Sequence, residues 1–327
     1  NQLFAYAIPD KNARDILLRY SEHHFSQPLF SNEKMQYPLH PMRCERPQKP
    51  YNIILIMVDS LRFDSLKMAY MPEVSRFAAK GWQFQKHLSG GNSTQSALFS
   101  LFYSLPSSYW TAALKQNKPP VFIDLLKQYG YSTRIIWSSE MHDPPFHKTI
   151  YAGLDHLSLD GAPGDDVGNW DRHTTQQAIK FLKTRKNKPP FFLNLFYDAV
   201  HGYCRDQSFA SVYEPIHKHC LRIAMTNDLD PRPYYNRYLN AVKFVQDEIA
   251  QVLATIEEEG FLENSIVIFT SDHGQEFNDN KRNYWGHAGN YTPVQVQIPL
   301  IVYWPGKSPR IINYGTSSYD VMPRSEE

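Results

Sequence analysis

The sequence predicts an α/β fold, a mostly parallel central sheet with helices on both faces, and three observations carry that expectation. Short continuous apolar runs at residues 53–58, 191–197 and 266–270 read as strands buried on both sides. Stretches with apolar residues three and four apart lie between them and read as amphipathic helices. The two patterns alternate along the chain, the order that parallel crossover units produce. In such sheets a ligand lies beyond the carboxyl ends of the strands, so chemistry is sought there.

Taken in order, residues 1–50 are rich in proline, histidine and arginine, with one short helical pattern near residues 11–20 and no strand pattern. They are expected to be a linker or wrapping arm. Strand 53–58 follows, and Pro72 opens a helix that carries Val74, Phe77 and Ala78. A second helix follows Thr94 with Leu98, Leu101 and Phe102 on one side, and a third over residues 122–129 stops at Gly130. Residues 133–137 read as a strand, 172–184 as a helix, and 191–197 as a strand after Pro189 and Pro190. The longest helix is expected over residues 234–258, where Leu239, Val242, Val245, Ile249, Val252, Leu253 and Ile256 keep one face, and Gly260 ends it. Strands at 266–270 and 298–304 complete one large domain over residues 51–327.

Composition narrows the functions. The 34 basic residues nearly cancel the 33 acidic ones, so bulk charge argues against nucleic acid as a partner and any anion must meet a local site. Aromatic residues make up 14% of the chain, some outside apolar runs, as at Tyr234-Tyr235 and Tyr284-Trp285. These read either as a membrane- or glycan-facing surface or as ordinary packing. Cys204 and Cys220 bracket one loop and either close it as a disulfide in an oxidising compartment or stay reduced; Cys44 is left over and reads as a buried thiol. No run of about twenty apolar residues occurs. The first residues carry no signal-peptide pattern and no initiator Met, so the chain reads as a piece of something longer.

The chemistry concentrates at strand ends. Asp59 closes Ile-Ile-Leu-Ile-Met-Val-Asp and Asp272 closes Ile-Val-Ile-Phe-Thr-Ser-Asp, followed at once by His273 and Gly274. Two carboxylates and an imidazole converging on one crevice suit a divalent cation, Zn, Mn or Mg. Either acid alone reads better as a helix cap, and the two together with His273 as a metal site. Between them, Gly90-Gly91-Asn92-Ser93-Thr94 runs into a helix, where a hydroxyl at the N-terminus serves either as a cap or as a nucleophile beside an anion site. His201-Gly202 and Gly286-His287 stand near further strand ends, placed for a second metal or a leaving oxygen.

These segments, in this order, together with Ile-Pro-Leu-Ile-Val-Tyr-Trp-Pro-Gly, resemble the alkaline-phosphatase/sulfatase superfamily, which includes arylsulfatases, phosphoethanolamine transferases and lipoteichoic acid synthase. The likeness spans residues 51 to about 306. Gln-Tyr-Pro-Leu at 36–39, Phe-Gln-Lys-His-Leu-Ser-Gly-Gly-Asn-Ser-Thr and Leu-Phe-Tyr-Ser-Leu-Pro-Ser-Ser-Tyr are most similar to the PbgA/YejM family of inner-membrane proteins. That resemblance implies N-terminal membrane helices ahead of this sequence, a periplasmic location, and a domain that continues beyond residue 323. It also implies a role in lipopolysaccharide and cardiolipin balance and a partnership with LapB. Carried over by position, Asp59, Thr94, Asp272 and His273 match the metal set with Thr94 as nucleophile, and His201 and His287 match the substrate or second-metal histidines. No cysteine stands near position 94, so the formylglycine chemistry of true sulfatases is not available. Three functions follow: a metal-dependent phosphatase or phospholipid transferase, a lipid sensor for which the basic stretch 43–49 would meet lipid phosphates, and a phosphoethanolamine or phosphoglycerol transferase using the aromatic loop at 204–213.

Overall fold

The structure is a computed structural model describing residues 35–40, 42, 45, 47–164, 166–185, 188–205, 208–217, 220 and 225–323. The helix expected near residues 11–20, the thiol of Cys44 and the head of the basic stretch at Arg43 lie outside the described residues. Residues Tyr37–Glu327 cluster as one unit.

The apolar runs become the centre of a seven-stranded sheet. Strands β1 (Asn52–Val58), β2 (Trp82–Leu88), β3 (Ser132–Trp137), β4 (Phe191–Tyr197), β5 (Ser265–Ser271), β8 (Leu300–Tyr303) and β9 (Arg310–Ser317) stand in the order β3-β4-β1-β5-β8-β2-β9. A small hairpin sheet, β6 (Glu276–Phe277) with β7 (Trp285–Gly286), lies apart from it. The pairings β3/β4, β4/β1, β1/β5 and β2/β9 are parallel, while β8 runs antiparallel to both its neighbours. The fold is therefore mostly parallel, as the alternation predicts.

Helices α1 (Pro72–Ala78), α2 (Thr94–Tyr103), α3 (Trp110–Gln116), α4 (Val121–Gln128), α5 (Val167–Lys183), α6 (Arg232–Glu258) and α7 (Pro293–Val296) surround the sheet. The two-residue period of the strands divides their side chains between two layers. Ile54, Ile56 and Val58 of β1, with Phe191, Leu193, Leu195 and Tyr197 of β4, join the core under α1, α5 and α6. Phe192 points the other way and meets Phe122 of α4 edge-on at 5.0 Å, and Phe102 of α2 packs beside Phe122. Two-sided burial is why these strands read as unbroken apolar runs.

Three elements differ from expectation. Helix α5 starts five residues earlier than predicted, because the Asp166 carboxylate accepts from the Gly168 and Asn169 amides and caps it. Strands β2 and β9 carry no buried apolar run: β2 is mostly half-exposed, and β9 leaves Ile311 and Tyr314 63% and 67% exposed. The Tyr234-Tyr235 pair belongs to packing, with Tyr234 buried against Trp285 at 5.6 Å and Tyr235 stacked on Tyr238. Among the described residues no helix is long and apolar enough to cross a membrane.

Candidate active site

Strands β1, β4 and β5 are adjacent and parallel, so their carboxyl ends deliver Asp59, Asp198 and Asp272 to one place. All three acids are buried. The turn after β1 is shaped by Ser60, which adopts a left-handed φ of 63°, uncommon for a residue with a side chain. That conformation aims the Ser60 amide at Asp272 Oδ1 (3.0 Å), while the Ser60 hydroxyl donates to Asp59 Oδ1 (2.8 Å). Asp272 Oδ1 also accepts from the His273 amide at 2.7 Å. Its other oxygen, Oδ2, is buried with no hydrogen-bond partner. Burial first, then the Asp59 charge, pushes the Asp272 carboxyl above its ordinary range, against the pull of His273 and the two amides.

Gly274 has no left-handed φ, but a side chain there would run into the Val294 carbonyl. His273 is fully buried, and its Nδ1 meets the Gly274 carbonyl at 2.8 Å. A carbonyl only accepts, so Nδ1 carries a proton, and Nε2 is the ring atom that faces the acids. That nitrogen stands 3.4 Å from Asp272 Oδ2, 3.7 Å from Asp59 Oδ1 and 3.3 Å from Thr94 Oγ1.

Thr94 is the first residue of α2, and its hydroxyl donates to Asp59 Oδ2 at 3.2 Å. The capping alternative fails here. Ser93 occupies the cap position but makes no side-chain cap bond, its hydroxyl meeting Ser96 Oγ at 2.9 Å, while the Thr94 oxygen faces the acids. Gly91 is needed because a Cβ would press into Ser96 and the Ala97 amide, which lets the loop lie tight on its own helix.

Thr94, Asp59, Asp272 and His273 thus gather as a donor set, and the last three all lie within 4.8 Å of one another. Donors about 2.1 Å from a tetrahedral ion stand roughly 3.4 Å apart; His273 Nε2 stands 3.3 Å from Thr94 Oγ1, 3.4 Å from Asp272 Oδ2 and 3.7 Å from Asp59 Oδ1. Two carboxylates crowd against one imidazole nitrogen and one hydroxyl. That imbalance, and the unpartnered Asp272 Oδ2, fit a divalent cation.

A second group shares Asp59. Asp198 and His201 lie with it inside 4.8 Å, His201 Nδ1 standing 3.4 Å from Asp198 Oδ1. The sequence reading singled out His201 and passed over Asp198, although the same signal was present: an acid directly after an apolar strand. The buried Asp171 carboxylate fixes that turn by accepting the Asp198 and Ala199 amides at 2.9 and 3.0 Å. His287 lies between the groups, its ring 4.4 Å from His273 and 5.2 Å from His201, with Nδ1 3.0 Å from Gln275 Oε1. Cys204 and Cys220 are joined as a disulfide three residues beyond His201, with Cα atoms 5.3 Å apart.

A family model described as Sulfatase matches residues 51–325. Among curated proteins, the chain is 25% identical over 288 residues to the inner membrane protein YejM of Salmonella typhi, covering 88% of this chain and 43% of that protein. It is 23% identical to mouse (Mus musculus) N-acetylgalactosamine-6-sulfatase, over 80% of this chain and 58% of the relative. The chain therefore spans less than half the length of that YejM relative. Among solved structures, an alkaline phosphatase superfamily protein from Vibrio parahaemolyticus superposes with a TM-score of 0.61 at 20% identity, over 83% of this chain and 64% of that one. The integral membrane protein lipooligosaccharide phosphoethanolamine transferase A (EptA) of Neisseria meningitidis gives 0.59 at 19% identity, over 80% and 49%. These structural likenesses speak to the fold.

Proposed function

The chain belongs to the sulfatase family, and from that premise we propose that it is a metal-dependent phosphate-ester hydrolase or phosphotransferase with Thr94 as its nucleophile. The observation that carries the reading is the convergence of acceptor atoms on Thr94: Asp59 Oδ2 at 3.2 Å and His273 Nε2 at 3.3 Å, with Asp272 Oδ2 buried and unpartnered beside them. Asp59, Thr94, Asp272 and His273 would hold a divalent ion, and Asp59, Asp198 and His201 a second. A bound cation of this kind supplies positive charge that lowers the proton affinity of the threonine hydroxyl and offsets charge gathering on a phosphoryl group.

This chain's own residues supply the rest. Asp59 stands within reach of the Thr94 proton, and the freed oxygen attacks phosphorus, releasing the substrate alcohol and leaving phosphothreonine. His287, whose ring lies 4.4 Å from His273 and 5.2 Å from His201, is placed to give the departing oxygen its proton. Water or an acceptor hydroxyl then takes the phosphoryl group and restores Thr94. With cysteines only at 44, 204 and 220, a threonine nucleophile is the chemistry open to this position.

The wider role in this proposal follows the relatives: the periplasmic domain of an inner-membrane protein that acts on a phospholipid or lipopolysaccharide, governs lipopolysaccharide and cardiolipin balance, and communicates with LapB. The relation to inner membrane proteins named YejM supports the membrane setting of this role. Purified protein supplied with Mn, Mg or Zn is expected to hydrolyse p-nitrophenyl phosphate, and Thr94→Ala to lower kcat by at least about 10³-fold. Undiminished turnover in that variant would rule out the nucleophile. No turnover from wild type, with vesicle binding intact, would favour a non-catalytic lipid sensor.

A further inference from the structure

Glu276 lies four residues beyond Asp272, fully buried, and takes no part in the chemistry above. One of its oxygens, Oε2, accepts two neutral donors, Asn290 Nδ2 at 2.7 Å and Gln295 Nε2 at 2.7 Å, with Thr292 Oγ1 3.2 Å away and its single proton closer to Asn290 Oδ1 at 2.7 Å. The other, Oε1, is buried with no partner, as is Gln295 Oε1. A carboxylate kept out of water with one oxygen unsatisfied costs stability, so its retention calls for a reason beyond packing.

The donors say what the carboxylate holds. Asn290 is pinned at its amide by Glu276, and its backbone carbonyl accepts Asn92 Nδ2 at 2.8 Å. The Asn92 carbonyl in turn accepts the Ala288 amide at 2.9 Å. Asn92 is the second residue before Thr94, and Ala288 follows His287 with a left-handed φ of 63°. Gln295 closes the ring, since its carbonyl accepts the Gly274 amide at 2.8 Å. Three segments thus meet at one carboxylate: the Asp272-His273 turn, the His287 loop and the loop that presents Thr94.

We propose that Glu276 is a positioning residue that sets Thr94 and His287 against the Asp272-His273 turn, acting through Asn290 and Asn92. The proposal rests on Thr94 being the reacting group, but the relay itself is independent of turnover. Displacing a reacting atom by about 1 Å can cost 10²-fold in rate. Glu276→Gln keeps the shape and removes the charge that gathers the Asn290 and Gln295 amides.

Two readouts test it. In metal-loaded protein, Glu276→Gln is expected to lower kcat about 10²-fold while bound Mn per chain stays at the wild-type value. Asn92→Ala lowers kcat as well, and the double variant falls within about twofold of the worse single, because both break one relay. In protein without added metal, Glu276→Gln is expected to raise amide hydrogen exchange at least about tenfold across residues 90–97 and leave β4 unchanged. Asn290→Ala, which keeps the carboxylate, is expected to raise exchange in the same segment and serves if Glu276→Gln does not fold. Additive kcat losses, or wild-type exchange across 90–97 in both variants, would overturn the proposal. If wild type lacks turnover, the reading of Thr94 fails and the exchange data alone decide on the relay.

Discussion

Single side chains in the crevice pose an electrostatic problem. Asp59, Asp198 and Asp272 are buried together, and the described groups around them supply mostly lone pairs and neutral donors. Asp59 and Asp272 were legible in the sequence because each ends an apolar run, and the β1 and β5 neighbours make such ends converge. His273 was legible as their neighbour, and Thr94 as a hydroxyl at a helix start. Asp198 carries the same signal, an acid directly after an apolar strand, and was equally legible. Glu276 had no readable signal, since its partners come from a loop whose path depends on tertiary contacts. A titration elsewhere offers a clean check at this scale. His87 is buried on β2, and burial lowers its pKa from 6.5 to about 4. Between those values the unfolded chain binds the extra proton, so this contribution to stability is whole above pH 6.5 and lost as the pH falls through about 4. Wild type should lose about 3 kcal/mol relative to His87→Gln between pH 7 and pH 4. Asp171, raised to about 7 by burial, runs the opposite way but is common to both proteins and cancels in the difference. Denaturant unfolding across that range measures the gap, and a gap independent of pH contradicts the assignment.

Among the elements, the loop from Cys204 to Cys220 carries the clearest energetic statement. Buried Arg237 of α6 donates to the carbonyls of Tyr203 and Arg205 at 2.7 Å and of His217 at 3.0 Å, tying both arms of the loop to the longest helix. The disulfide closes a sequence separation of 16, which the chain-entropy model values at about 3 kcal/mol. Replacing both cysteines by serine is expected to lower unfolding free energy by about that amount; a loss below about 1 kcal/mol would mean that Arg237 and packing hold the loop alone. Elements buried on two faces were legible because burial writes itself as an apolar run. Strands β2 and β9 were not, since their side chains stay half in water and leave no such run. The antiparallel direction of β8 was hidden for another reason: an apolar run has no polarity.

For the whole molecule, the sheet order decides the function more than any single segment. The order β4-β1-β5 makes three strand ends neighbours, and α2, running from the crevice, brings Thr94 to them. A chain read from sequence offers the ends but not their adjacency, which is why the donor set was expected and its shared second group with Asp198 was not. In the function proposed above, Asp59, Thr94, Asp272 and His273 form one divalent-cation site around the nucleophile. The direct measurement is an anomalous difference map from a crystal of the protein equilibrated with Mn. A peak is expected about 2.0–2.2 Å from a carboxylate oxygen of Asp59 and of Asp272, from His273 Nε2 and from Thr94 Oγ1. A map with Mn bound elsewhere, or with no peak among these four residues, would contradict it.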